Sequence, residues 1–130
     1  NSEILVYDLS THEIKALLKG HQGSVSSLKK AKYGAENFLL STGEENCVWD
    51  LSSFSLICKV TNLGLCFAGE FLPNKTFCLV ANTVNSPLYV YSFHTDSDSK
   101  AVPGNNNSNV NNNNNEPSVK PLFSIDQENS

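Results

Sequence analysis

Apolar and polar residues alternate in short bursts along this chain, and each burst ends in a cluster of turn formers. Ile4–Leu9 reads as a strand broken by Ser10-Thr11, and Glu13–Leu18 as a second. Gly20-His21-Gln22-Gly23 is expected to turn the chain into a strand over Val25–Lys30. A turn at Tyr33-Gly34-Ala35-Glu36 then leads to a strand over Phe38–Thr42. Gly43-Glu44-Glu45-Asn46 turns into Cys47–Leu51, and Ser55–Val60 completes a set of four. The alternation resumes at Cys66–Phe71, turns at Pro73-Asn74-Lys75, and runs on through Phe77–Ala81 and Leu88–Phe93. No stretch sustains the 3.6-residue apolar period of a helix, so the expected class is all-β.

One of these strands recurs. Val6-Tyr7-Asp8-Leu9, Val48-Trp49-Asp50-Leu51 and Val90-Tyr91-Ser92-Phe93 place an aromatic residue at positions 7, 49 and 91, an even interval of 42. A period of about 40–45 residues with a Trp-Asp or Tyr-Asp strand end is the footprint of a β-propeller blade. Each blade is a four-stranded antiparallel sheet that cannot bury both faces alone, so neighbours stack around an axis. The 130 residues hold three such repeats, whereas a ring closes with about 4–8 blades. The stretch is therefore expected to be a partial ring, an internal or processed fragment. The absence of methionine agrees.

From His94 to Lys120 the composition collapses to Asn, Ser, Asp and Pro, with runs at Asn105–Asn107 and Asn111–Asn115. With little apolar surface to offset its ordering entropy, 94–120 is expected to be a disordered Asn-rich loop insertion. Pro121–Asp126 reads as a strand again, which places the insertion before the last strand of the third unit. Lengthening a surface loop there costs only roughly 0.6 kcal/mol per doubling. The expected division is 1–19 as the end of one blade and 20–60 as a complete blade. Residues 61–93 with 121–130 form a third, divergent blade interrupted by 94–120.

The middle unit resembles a WD repeat (WD40). Gly20-His21 precedes the first strand, Val25 and Leu28 occupy its apolar positions, Leu39-Leu40-Ser41-Thr42-Gly43 is similar to the second strand, and Val48-Trp49-Asp50-Leu51 to the third. The resemblance covers the chain outside 94–120. It implies a buried hydrogen-bonded network of a histidine from the Gly-His turn, a Ser or Thr of the second strand, an Asp of the following turn and the Trp. By position these are His21, Ser41 or Thr42, and Trp49, with the Asp position falling near Glu44 or Glu45. The segment from Ser41 to Trp49 is shorter than in the family. The flanking units are more degenerate: Tyr7 and Tyr91 stand for Trp, Ser92 for Asp, and Thr61-Asn62 for Gly-His. The third unit keeps Phe71-Leu72-Pro73-Asn74-Lys75, similar to the family's Phe-Ser-Pro-Asp-Gly turn.

Charge narrows the chemistry. The net charge is −4, with 13 acids against nine bases, and all nine bases are lysines. Without arginine the segment lacks the planar fork used for bidentate phosphate, carboxylate and guanine contacts. Lys29, Lys30 and Lys32 form the one basic cluster. They read as a solvated strand edge or, more sharply, as a sequence-independent phosphate contact. Lys30 takes a position that is usually apolar in the family. Cys47, Cys58, Cys66 and Cys78 include no C-x-x-C pair and lie near no histidine cluster, so they read as buried free thiols. Neither a signal peptide nor an apolar run approaching the ~20 residues of a membrane span is present. The sequons Asn74-Lys75-Thr76 and Asn106-Asn107-Ser108 are then chance matches.

His21 has no histidine at metal spacing, Glu44-Glu45 sits in a turn, and neither a nucleophile elbow nor a phosphate-binding glycine loop is present. The expectation is a protein that is not an enzyme, with no cofactor, metal, small-molecule substrate or membrane partner. It is instead a scaffold for protein–protein interaction in an intracellular complex, cytoplasmic or nuclear. The alternative is a propeller of an RNA-processing or ribosome-assembly particle that touches RNA through its lysines. A third idea is self-assembly through the asparagine runs.

Overall fold

The computed structural model describes residues 2–82 and 88–95 and the backbone of Pro121–Ile125. Ten strands follow one another, β1 (Ser2–Asp8), β2 (Glu13–His21), β3 (Val25–Tyr33), β4 (Glu36–Gly43), β5 (Asn46–Asp50), β6 (Ser55–Val60), β7 (Cys66–Leu72), β8 (Thr76–Ala81), β9 (Leu88–Ser92) and β10 (Pro121–Ile125). They build three antiparallel sheets: β1-β2, then β3-β4-β5-β6, then β7-β8-β9-β10. Each strand pairs with its neighbour in sequence, so all hydrogen-bonded ladders are local meanders. β10 pairs with the outer edge of β9, Phe123 opposite Val90 and Ile125 opposite Leu88. The chain thus returns to the third sheet after the Asn-rich run; of the disordered insertion expected over 94–120, His94 and Thr95 are described, the Thr95 hydroxyl accepting from the Lys75 ammonium at 3.3 Å, and 96–120 lies outside the described residues.

Alternation along the strands decides which sheet meets which. Phe38, Leu40, Val48, Cys58 and Val60 of the second sheet join Cys66, Phe77, Leu79, Ala81, Tyr91 and Phe93 in one buried cluster. The residues between them, Cys47 and Trp49, join Ile4 and Leu18 of the first sheet in a second cluster. The second sheet is therefore covered on both faces, as a blade inside a stack must be. Gly69 of β7 permits the closest approach: a Cβ there would lie 2.7 Å from Thr42 Cγ2 and 2.8 Å from Leu40 Cδ2.

The repeated Asp has a local task. The Asp8 carboxylate accepts the Ser10 N–H at 2.8 Å and the Ser10 hydroxyl at 2.5 Å. The Asp50 carboxylate accepts the same two groups from Ser52, at 2.8 and 2.6 Å. Both turns then pass through a left-handed residue, His12 at φ 59° and Phe54 at φ 56°. These are Asx turns, and those bonds hold the Asp8 carboxyl below its ordinary value. At Asp50 burial pushes the other way and the bonds from Ser52 and Ser53 outweigh it. Ser92 has no carboxylate to offer at the third position.

Candidate functional site

The constellation with chemical connectivity lies between the first and second sheets. Gly20 and His21 were expected in a turn; they are instead the last two residues of β2. The Trp49 indole explains this: its Cη2 lies 2.9 Å from where a Cβ on Gly20 would stand. Only glycine lets the strand pass flat over the ring. β2 then delivers His21 to β4, where Nε2 sits 2.5 Å from Ser41 Oγ. From β5, the Trp49 Nε1–H donates to the same oxygen at 2.8 Å. Ser41 is completely buried, and its oxygen is the node of the network. His21 Nδ1 has no hydrogen-bond partner and lies 3.7 Å from Glu45 Oε2, too far for a hydrogen bond but close enough for attraction. Glu45 is anchored by the backbone N–H groups of Gln22 and Gly23, at 3.1 and 3.3 Å.

The neutral tautomer with its proton on Nδ1 fits this arrangement. The indole donates to Ser41, Ser41 donates to Nε2, and the Nδ1–H points at the carboxylate. Burial pushes the His21 pKa below its ordinary value of 6.5; the Glu45 carboxylate opposes this, and the nearby Lys59 ammonium adds to it. The Lys59 ammonium is itself held by the Gly20 carbonyl at 2.5 Å.

Of the residues picked out by resemblance, His21, Ser41 and Trp49 meet. Thr42 does not. It lies on the other face of β4, bonded to the hydroxyls of Ser26 and Ser27 at 3.0 and 2.5 Å. The lysines are also divided. Lys29 turns to β7, where Glu70 lies 3.6 Å away, whereas Lys30 and Lys32, as register partners of Leu39 and Asn37, follow the face of β3 toward the first sheet.

Ser41, His21 and Glu45 share the connectivity of a nucleophile–base–acid triad. The difference is access: Ser41 has no solvent exposure, Trp49 occupies its oxygen, and two sheets close over it. Cys47, Cys58 and Cys66 are likewise buried, with burial pushing Cys47 to about 11 and Cys58 to about 12, whereas Cys78, expected to be buried, is only half-buried. Among the described residues no group of three His, Cys, Asp or Glu could hold a metal ion, and no helix is long and apolar enough to cross a membrane.

Not foreseen from sequence is an aromatic knot between the second and third sheets. Tyr33, Phe38, Phe71 and Phe93 lie with ring centroids 5.0 to 6.2 Å apart, and the Tyr33 hydroxyl donates to the Leu72 carbonyl. Lys75 closes the same end with a 3.0 Å bond to Glu36.

No family model matches the sequence, and no curated protein matches it. Among solved structures the chain is similar to the β-propeller domain of Cps50 (Swd1) from Myceliophteria thermophila, with a TM-score of 0.63 and 15% identity. The match covers 95% of this chain and 32% of that one. At this identity the likeness carries the fold: the chain is folded as part of a β-propeller, the fold that the WD-repeat resemblance implies.

Proposed function

We propose that the chain is a non-enzymatic interaction platform, a WD-repeat stretch whose turns and sheet edges hold protein partners in an intracellular multiprotein complex. The observation that carries this reading is the sealing of the His21–Ser41–Trp49 network. This chemically connected constellation is committed to joining β2, β4 and β5. What faces solvent instead is a set of turns and edges displayed on stacked sheets. Contact with RNA through lysines has weaker support, because Lys29 is turned to Glu70 while Lys30 and Lys32 lie on the opposite face.

Affinity capture from native cells, with and without RNase, tests the reading. A set of protein partners that survives RNase is expected. Partners that leave with the RNA would replace the platform by a ribonucleoprotein subunit, and the lysines would become the residues to change.

A further inference from the structure

One lysine ties the second sheet to the chain that leaves the third. Lys75 lies in the turn between β7 and β8 at φ 54°, beside Asn74 at φ 63°. It stands where the similar Phe-Ser-Pro-Asp-Gly turn has glycine, the residue that takes a left-handed backbone without a steric penalty. Its carbonyl accepts the Phe93 N–H at 3.0 Å, which fixes the chain just beyond β9. Its ammonium bonds Glu36 Oε1 at 3.0 Å and Thr95 Oγ1 at 3.3 Å, and lies 5.9 Å from the centre of the Phe38 ring. The side chain is largely shielded from water, with 17% of it exposed, so its charge is weakly screened.

Thr95 therefore rests its hydroxyl on a cation. Phe93 is buried, His94 is exposed and Thr95 is half-buried, so this hydroxyl comes where the chain leaves the core. A groove of about 340 Å³ opens beside it, with Glu36, Asp50 and His94 in its wall. In the sequence, carboxylates follow Thr95 at the first and third positions, Asp96 and Asp98. The neighbouring hydroxyl, Ser97, has Asp98 next to it but Lys100 three residues on. A basic substrate cleft would select Thr95 over Ser97 on charge.

We propose that Thr95 is a phosphorylation site for an acid-directed protein kinase, and that its phosphate draws the Lys75 ammonium away from Glu36. The γ-phosphoryl group of a nucleoside triphosphate passes to Oγ1, the bond to the bridging oxygen breaks and the diphosphate leaves. The hydroxyl proton goes to the base of the kinase. The product places about −1.5 to −2 charge on an oxygen already 3.3 Å from the ammonium. A doubly charged phosphate outweighs a single carboxylate in competition for one cation. Glu36 and Asp50 repel the phosphate, so Lys75 is what holds it in place. The modification thus unlinks β4 from the β7–β8 turn at the aromatic end of the contact between two sheets. It rests on these contacts and not on the platform reading, so a capture experiment without partners would leave it untouched.

Incubation of the full chain with ATP and a purified acid-directed serine/threonine kinase, followed by mass spectrometry, tests the site. Phosphate on Thr95 is expected, kept in Ser97→Ala and lost in Thr95→Ala. A chain with no phosphate on Thr95, or with phosphate on Ser97 alone, would overturn it. Phosphorus NMR of the modified chain then follows the second ionisation of the phosphate, which ordinarily falls at about 6. A neighbouring cation favours the dianion, so the midpoint should lie about half a unit or more lower in the native chain than in Lys75→Gln. Lys75→Arg keeps the charge and should keep the low midpoint. Equal midpoints in the native chain and Lys75→Gln, or a Lys75→Arg midpoint as high as that of Lys75→Gln, would remove Lys75 as the group that receives the phosphate.

Discussion

On the side facing the first sheet, β4 and β5 present Leu39, Ser41, Cys47 and Trp49; on the side facing the third they present Phe38, Leu40 and Val48. One interface is narrow and centred on a hydrogen-bonded indole. The other is wide and aromatic at its centre, with hydrogen bonds from Ser26, Tyr33 and Lys75 at its margins. The same two strands therefore serve a directional contact and a non-directional one, and the difference is in how each fails. An apolar interface weakens in proportion to the area removed, whereas a buried network loses most when a single atom leaves its partners unsatisfied.

The largest effects come from removing the ring at the centre of each interface. Trp49→Ala and Phe38→Ala should each cost about 3–5 kcal/mol, as deletion of a buried aromatic side chain does. Urea unfolding followed by circular dichroism reads both. The rings lie on opposite faces of the sheet, so the double variant should equal the sum within about 0.5 kcal/mol. A strongly sub-additive double variant would mean that the two interfaces act as one and would erase the comparison.

A smaller change separates the interfaces more sharply. Ser41→Ala removes one oxygen but leaves the Trp49 N–H and His21 Nε2 buried without their shared partner, at a cost of about 1–3 kcal/mol. A change of similar size on the other side, Val48→Ala, deletes only methyl groups. Loss of Trp49 fluorescence environment in Ser41→Ala but not in Val48→Ala is the expected result. Equal fluorescence shifts in both would show that the hydroxyl has no special place.

Gly69→Ala tests the tightness of the apolar interface. The added methyl must displace Leu40 Cδ2 and the Cγ2 of Thr42, whose hydroxyl is held by Ser26 and Ser27, so about 1–3 kcal/mol is expected from overpacking. A neutral or stabilising result would mean that the second and third sheets have room to slide.

Much of this was legible in the residues. The 42-residue interval gave the sheets their order, and the resemblance drew His21, Ser41 and Trp49 together. The ambiguity between Ser41 and Thr42 needed the register: Leu39 pairs with Trp49 and Ser41 with Cys47, so odd positions of β4 share the indole's face and Thr42 cannot. The lysine cluster could have been divided at once, because neighbours 29 and 30 in a strand point to opposite faces. The Asx turns carry a local signal, Asp-x-Ser at both 8 and 50. The aromatic knot had none. Tyr33 looked like a turn residue, and its meeting with Phe71 and Phe93 depends on sheet stacking, which no local pattern encodes.

The gentlest probe is pH, and it acts on one interface alone. The folded pKa of His21 lies below the unfolded value of 6.5, chiefly through burial. The unfolded chain therefore binds the proton more readily, and stability must fall as pH drops below 6.5, levelling off beneath the folded pKa. Above 6.5 this contribution is constant. The carboxyls of Asp8 and Asp50 are also lowered, but from 3.8, so their loss comes at more acid pH. The core cluster joining the second and third sheets contains no histidine. Urea midpoints measured from pH 7.5 down to 4.5 should decline in the native chain and in Phe38→Ala alike, and should flatten in His21→Gln. A His21→Gln chain that keeps the full decline would place the titrating group elsewhere and remove the buried imidazole from the account of this interface.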